Sequence, residues 1–154
     1  MNGFDQQKAA RVWQRVQQAR PQGKQPGHLE ELPELMMNEW EAAAAYRQLA
    51  RQFQGKEGEA YQSLARREQK HAACLRGMHS LITGEKYPLQ KLQSVKEPPE
   101  RILRRCYGIH LRARKAYESH AEDPEYGPVF AELARQEREL CVTVLELLGK
   151  QEKL

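Results

Sequence analysis

Apolar residues recur at helical spacing in four long stretches of this chain. Over about 30–53 the stripe is Leu32, Leu35, Met36, Ala42, Ala43, Tyr46, Leu49 and Phe53; over 57–83 it is Tyr61, Leu64, Ala65, Leu75, Met78 and Ile82. Over 98–121 it is Ile102, Cys106, Ala113 and Tyr117, and over 129–148 it is Phe130, Leu133, Ala134, Cys141, Val144 and Leu148. Steps of three and four put each set on one face of an amphipathic helix. Gly55, Gly84, the Pro98-Pro99 pair and the turn EDPEYGP supply the breaks. Strand-like alternation is missing throughout. Upstream, Asp5 can cap a short helix carrying Ala9, Val12, Trp13, Val16 and Ala19, which ends before Pro21, and PQGKQPG reads as a linker. The pattern predicts an all-α protein: residues 1–27 as an N-terminal helix and linker, and residues 28–154 as one antiparallel four-helix bundle.

Each stripe is interrupted near its middle by a residue foreign to an apolar core. Glu39 stands in the first, Glu68 with His71 in the second, His110 in the third and Glu137 in the fourth. A buried, unpaired carboxylate costs several kcal/mol, so three of them meeting in mid-bundle need compensation. Hydrogen-bonding partners or protonation can supply it, and so can a divalent metal. In Glu68-x-x-His71 the carboxylate and imidazole lie one turn apart on one face, the spacing from which helical bundles build metal sites.

These positions belong to an internal repeat. Gly58 opens GEAYQSLARREQKH and Gly127 opens GPVFAELARQEREL, sharing the glycine, a ring three residues on, Leu-Ala-Arg and a glutamate in one frame. The first copy ends in His71 and the second in Leu140. Upstream, Glu39 precedes Tyr46 by seven residues, as His110 precedes Tyr117, two helical turns in each case. The chain therefore reads as two duplicated αα-hairpins, with candidate ligands Glu39, Glu68 and His71 from one and His110 and Glu137 from the other.

Composition narrows the field. With 154 residues, 30% charged and 40% hydrophobic, the chain suits one globular domain. Cys74, Cys106 and Cys141 are odd in number and form no C-x-x-C, which excludes a disulfide framework, a zinc ribbon and a rubredoxin-type iron site. They read as buried thiols. The absence of a signal-length apolar run at the N-terminus, or of eighteen consecutive apolar residues anywhere, gives the expectation of a cytoplasmic protein without membrane spans. A net charge of +4 is too mild to indicate nucleic acid, and Arg101, Arg104, Arg105, Arg112, Arg114 and Lys115 read as a solvated helix face. The stripe around Trp13 suggests a homodimer. His28 and His79 read as surface residues, and His120, ten residues beyond His110, is about 15 Å farther along the axis.

The glutamate with a tyrosine seven residues later, followed by E-x-x-H and then a partial second set, resembles the rubrerythrin branch of the ferritin-like superfamily over roughly 30–148. The resemblance implies a ferritin-like bundle holding two irons: Glu39 and His71 as terminal ligands, Glu68 and Glu137 as bridges, and a reaction with H2O2 or O2. Two positions depart from it. His110 stands where a glutamate is expected, and Leu140 where a second histidine is expected. On a compensatory reading, three carboxylates and two imidazoles remain, enough for two metals completed by water or for one held tightly. Iron is the metal implied, with manganese or zinc as alternatives. Because rubrerythrins take electrons through a rubredoxin domain, and the cysteines here cannot build one, a separate donor protein would be required. Tyr46 and Tyr117 read either as hydrogen-bond donors to ligands or as plain core residues. The competing expectation is a non-enzymatic scaffold of the same fold with a degenerate metal site, acting through the basic third helix or the N-terminal helix.

Overall fold

The computed structural model describes residues 7–11, 30–93 and 96–151. Four long helices account for most of them: α1 (Leu32–Gln52), α2 (Gly55–Thr83), α3 (Pro99–Ser119) and α4 (Gly127–Gln151). Residues 7–11 are also helical and bury Ala9. Among the described residues there is no strand, and no helix is long and apolar enough to cross a membrane. Asp5, Val12, Trp13, Val16, Ala19, the PQGKQPG linker, His28 and the expected boundary after residue 27 lie outside the described residues.

Local chemistry sets the helix ends. A proline occupies the first turn of α1 and of α3, where no intrahelical donor is required. Phe53 leaves α1 in extended conformation, and Gly55 (φ +66°) turns the chain directly into α2. Gly84 closes α2 in the left-handed region at φ +78°, its N–H donating to the Ser80 carbonyl at 2.8 Å. Before α4, the Asp123 carboxylate accepts from the N–H groups of Glu125 (3.0 Å) and Tyr126 (2.6 Å). Helices α2 and α4 each begin two residues earlier than the apolar pattern predicts, and α4 runs on to Gln151.

The glycines that open the two repeat copies share one steric cause. A Cβ on Gly58 would sit 2.5 Å from the Phe53 carbonyl oxygen, and one on Gly127 would sit 2.5 Å from that of Ala121. In both hairpins the first turn of the second helix presses against the chain that leads into it. The ring three residues later then packs on that corner: Tyr61 against Phe53 (centroids 5.3 Å apart) and Phe130 against His120 (5.1 Å).

The core divides into two apolar clusters. One gathers Leu32, Leu35 and Met36 of α1, Leu75 and Met78 of α2, Ala113 and Tyr117 of α3, and Phe130 and Leu133 of α4. The other gathers Tyr46 and Leu49, Tyr61 and Leu64, Ile102 and Cys106, and Leu140 and Val144. The start of α1 thus meets the end of α2, and the end of α3 meets the start of α4, so each pair is antiparallel. The segment from α2 to α3 has to return along the bundle, and it does so across α1: Tyr87 stacks on Trp40, and Leu89 to Leu92 line a groove with Ala44, Arg47 and Arg51. Phe53, Ile82 and Leu148, at the stripe ends, are only partly buried, whereas Leu103, Ile109 and Leu140 join the core in addition to the predicted stripes.

Candidate metal centre

Between the two apolar clusters each of the four long helices contributes a polar side chain to one buried layer. Glu39 comes from mid-α1, Glu68 and His71 from mid-α2, His110 from α3 and Glu137 from α4, each at most 2% exposed. Ligand atoms of Glu39, Glu68, His71 and Glu137 all lie within 4.8 Å of one another. His71 Nδ1 is 3.4 Å from Glu39 Oε2, 3.4 Å from Glu137 Oε1 and 3.9 Å from Glu68 Oε2. Three helices therefore aim three carboxylates and one imidazole at a common point.

The atoms at that point face one another without closing a hydrogen bond. Glu39 Oε2, both Glu68 oxygens, His71 Nδ1 and Glu137 Oε1 are buried without a hydrogen bond of normal geometry. Buried polar atoms are almost always hydrogen-bonded, and leaving one unpaired costs about 1–3 kcal/mol, more if it is charged. Together these inward-facing atoms form a donor set that could hold a cation.

The outward-facing atoms, in contrast, are held. Tyr117 donates its hydroxyl to Glu39 Oε1. His110 Nδ1 lies 2.7 Å from Glu137 Oε2, and its Nε2 lies 2.6 Å from the Tyr46 hydroxyl. Because a carboxylate accepts and a phenol can donate, the consistent arrangement is Tyr46 O–H to Nε2 and Nδ1–H to Glu137. His71 Nε2 lies 2.6 Å from Gln136 Oε1. The seven-residue spacing puts Tyr46 and Tyr117 on the faces of Glu39 and His110, but their bonds run across to the other helix; Gln136 reads in the sequence as one more polar residue beside Glu137.

The electrostatics follow from crowding and burial. Burial and the charge of Glu39 push the Glu68 carboxyl well above its ordinary range. Burial and Glu39 likewise raise Glu137, opposed by His110 and His71. Burial would also raise Glu39, but neighbouring Glu68 and the His71 cation outweigh it and hold the group well below the usual carboxylate range. Burial disfavours the charged form of His71, yet Glu39 and Glu137 override it and lift its pKa to about 10. Tyr46 and Tyr117 are raised well above their ordinary values, by burial and then by Cys106 and Glu39 respectively. Alone, these groups balance one another by protonation, and a divalent ion would take over that balance.

Of the five sequence candidates, the structure brings Glu39, Glu68, His71 and Glu137 into one group and sets His110 at its edge, 3.7 Å from Glu68, with both ring nitrogens engaged. Leu140 is fully buried in the apolar cluster beside it. Cys106 and Cys141 are buried and Cys74 is partly exposed, all three as free thiols. His120 binds Glu31 at 2.8 Å and His79 lies edge-on to Tyr87, both away from the cluster. Neither a family model, nor a curated protein, nor a solved structure matches the chain.

Proposed function

We propose that this protein binds a first-row metal ion through Glu39, Glu68, His71 and Glu137, and that it is a ferritin-like, rubrerythrin-type bundle of two duplicated hairpins. The observation that carries the reading is the set of five buried ligand atoms, none closing a hydrogen bond, that converge from three helices. Three carboxylates and one imidazole form a mostly oxygen donor set suited to iron or manganese, with zinc as an alternative. Four donors in one sphere hold a single ion; a second would have to share the carboxylates.

Bound iron would supply Lewis acidity and one-electron chemistry toward O2 or H2O2. The chain's own groups do the rest. Tyr117 fixes the rotamer of Glu39, and His110, itself held by Tyr46, fixes Glu137. The apolar clusters on either side keep bulk water from the layer, so its charges act at low dielectric. The electrons for turnover would come from a separate donor protein.

Enzyme function is tested by loading the protein anaerobically with Fe(II), adding H2O2, and following Fe(II) oxidation and peroxide loss beside Glu68→Ala. The proposal predicts rapid oxidation in the wild type alone. Equal rates in the two proteins would contradict it. A second reading, a structural metal without turnover, is favoured by the near-complete burial of all four donors; it predicts metal retention with no peroxide consumption above that of free iron.

A further inference from the structure

The acceptor behind His71 determines which of its nitrogens faces the cluster. Gln136 is buried, and its two polar ends are differently anchored. Its amide nitrogen donates to Glu132 Oε1 at 3.3 Å, and Glu132 is clamped by Arg135 through Nε (3.0 Å) and a second guanidinium nitrogen (2.6 Å). A carboxylate gripped by a guanidinium can only accept, so the amide end of Gln136 must point at Glu132. Its carbonyl oxygen is thereby turned to His71 Nε2, at 2.6 Å. A carbonyl only accepts as well, so Nε2 must carry hydrogen, and Nδ1 is the nitrogen left for the cluster.

The other half of the repeat lacks the same device. Counting from Gly58 and Gly127, Arg67 occupies the place of Gln136, just as Leu140 occupies the place of His71. Arginine has donors only and cannot accept from an imidazole N–H. Arg67 instead pairs across the same two helices with Glu139, next to Leu140, at 3.1 Å. The imidazole and its acceptor are therefore both present in one half and both replaced in the other.

We infer that Gln136 is the positioning residue that presents His71 Nδ1 to the metal, and that Arg67 keeps the related position closed to a second imidazole. The inference rests on the metal-binding reading above and adds to it a rule for which nitrogen binds and how many imidazoles the site accepts. Groups that orient a metal-bound histidine typically change affinity by about 10–100-fold when removed.

The test is zinc titration against a competing chelator, with 15N spectra of the histidine rings in the zinc-loaded protein. Wild type should show zinc on His71 Nδ1 and hydrogen on Nε2. Gln136→Leu should bind zinc about 10–100-fold more weakly, and Glu132→Ala, a change at a partly exposed position that tests the anchor without touching the core, should weaken binding in the same direction. Leu140→His alone should add no zinc-bound imidazole, whereas Arg67→Gln with Leu140→His should add one. Unchanged affinity and an unchanged Nδ1 signal in both Gln136→Leu and Glu132→Ala would overturn the positioning role while leaving the metal site standing; a second bound imidazole in Leu140→His alone would overturn the role of Arg67. Failure of the wild type to bind zinc, iron or manganese would remove the metal reading itself, and this inference with it.

Discussion

His110 binds Glu137 through Nδ1 at 2.7 Å, and its opposite nitrogen is occupied by Tyr46 at 2.6 Å. This imidazole on α3 thus spends both nitrogens on neighbours, and any effect on a bound metal would pass through Glu137. That separates two outcomes that the sequence leaves open.

If His110 orients Glu137, His110→Ala should leave metal stoichiometry unchanged and weaken affinity, while costing about 1–3 kcal/mol of stability, because Tyr46 and Glu137 lose a buried partner. Isothermal titration together with denaturant unfolding reads both effects. Loss of metal as complete as in Glu68→Ala would place His110 among the ligands instead.

The raised pKa of His71 gives a pH dependence of definite sign. Its value in the folded protein, about 10, lies above its ordinary 6.5. The stabilisation it provides is therefore fully present below about 6.5 and is lost as pH rises toward 10. Chelator-treated protein should melt at progressively lower temperature across that window. Apparent metal affinity should move the other way and rise with pH, since the ion displaces the Nδ1 proton. Thermal melts at several pH values, with and without metal, provide the check; a flat profile in the chelated protein would show that His71 is uncharged there.

The glycines that open the repeat and Gly149 near the end of α4 predict opposite responses to one substitution. Gly58→Ala and Gly127→Ala each force a methyl to within 2.5 Å of a backbone carbonyl and should destabilise by about 1–3 kcal/mol. Gly149→Ala, in the last turns of α4 with nothing within 4 Å, should stabilise by up to about 1 kcal/mol through helix propensity. Urea unfolding of the three variants measures this, and a gain in stability in Gly58→Ala would refute the steric account of the repeat.

The parts of the site that were legible in the sequence were those that helical periodicity controls. Glu39, Glu68, His71, His110 and Glu137 interrupt their stripes at one level, so their burial in a common layer follows from spacing alone. The faces of Tyr46 and Tyr117 follow too, two turns from Glu39 and His110, but not their bonds, which cross between helices from Tyr46 to His110 and from Tyr117 to Glu39. What spacing could not supply is contact between helices. Whether His110 faces the ion or its neighbours depends on a rotation of one ring, and Gln136 gains its role from His71 on another helix, 65 positions away. The steric need for Gly58 and Gly127 was likewise hidden, because the atoms they avoid belong to the preceding corner; the repeat showed only that both positions are glycine.

Metal content tests the buried layer most directly. Wild type and Glu68→Ala should be equilibrated anaerobically with Fe(II), Mn(II) or Zn(II), freed of loose ions and analysed for metal per chain. Glu68 contributes two of the five atoms that close no hydrogen bond and little else, so the variant should stay folded while losing the ion. The prediction is one to two ions per wild-type chain and almost none in Glu68→Ala. Equal metal in both proteins, or none in either, would contradict the assignment of this layer as a metal centre.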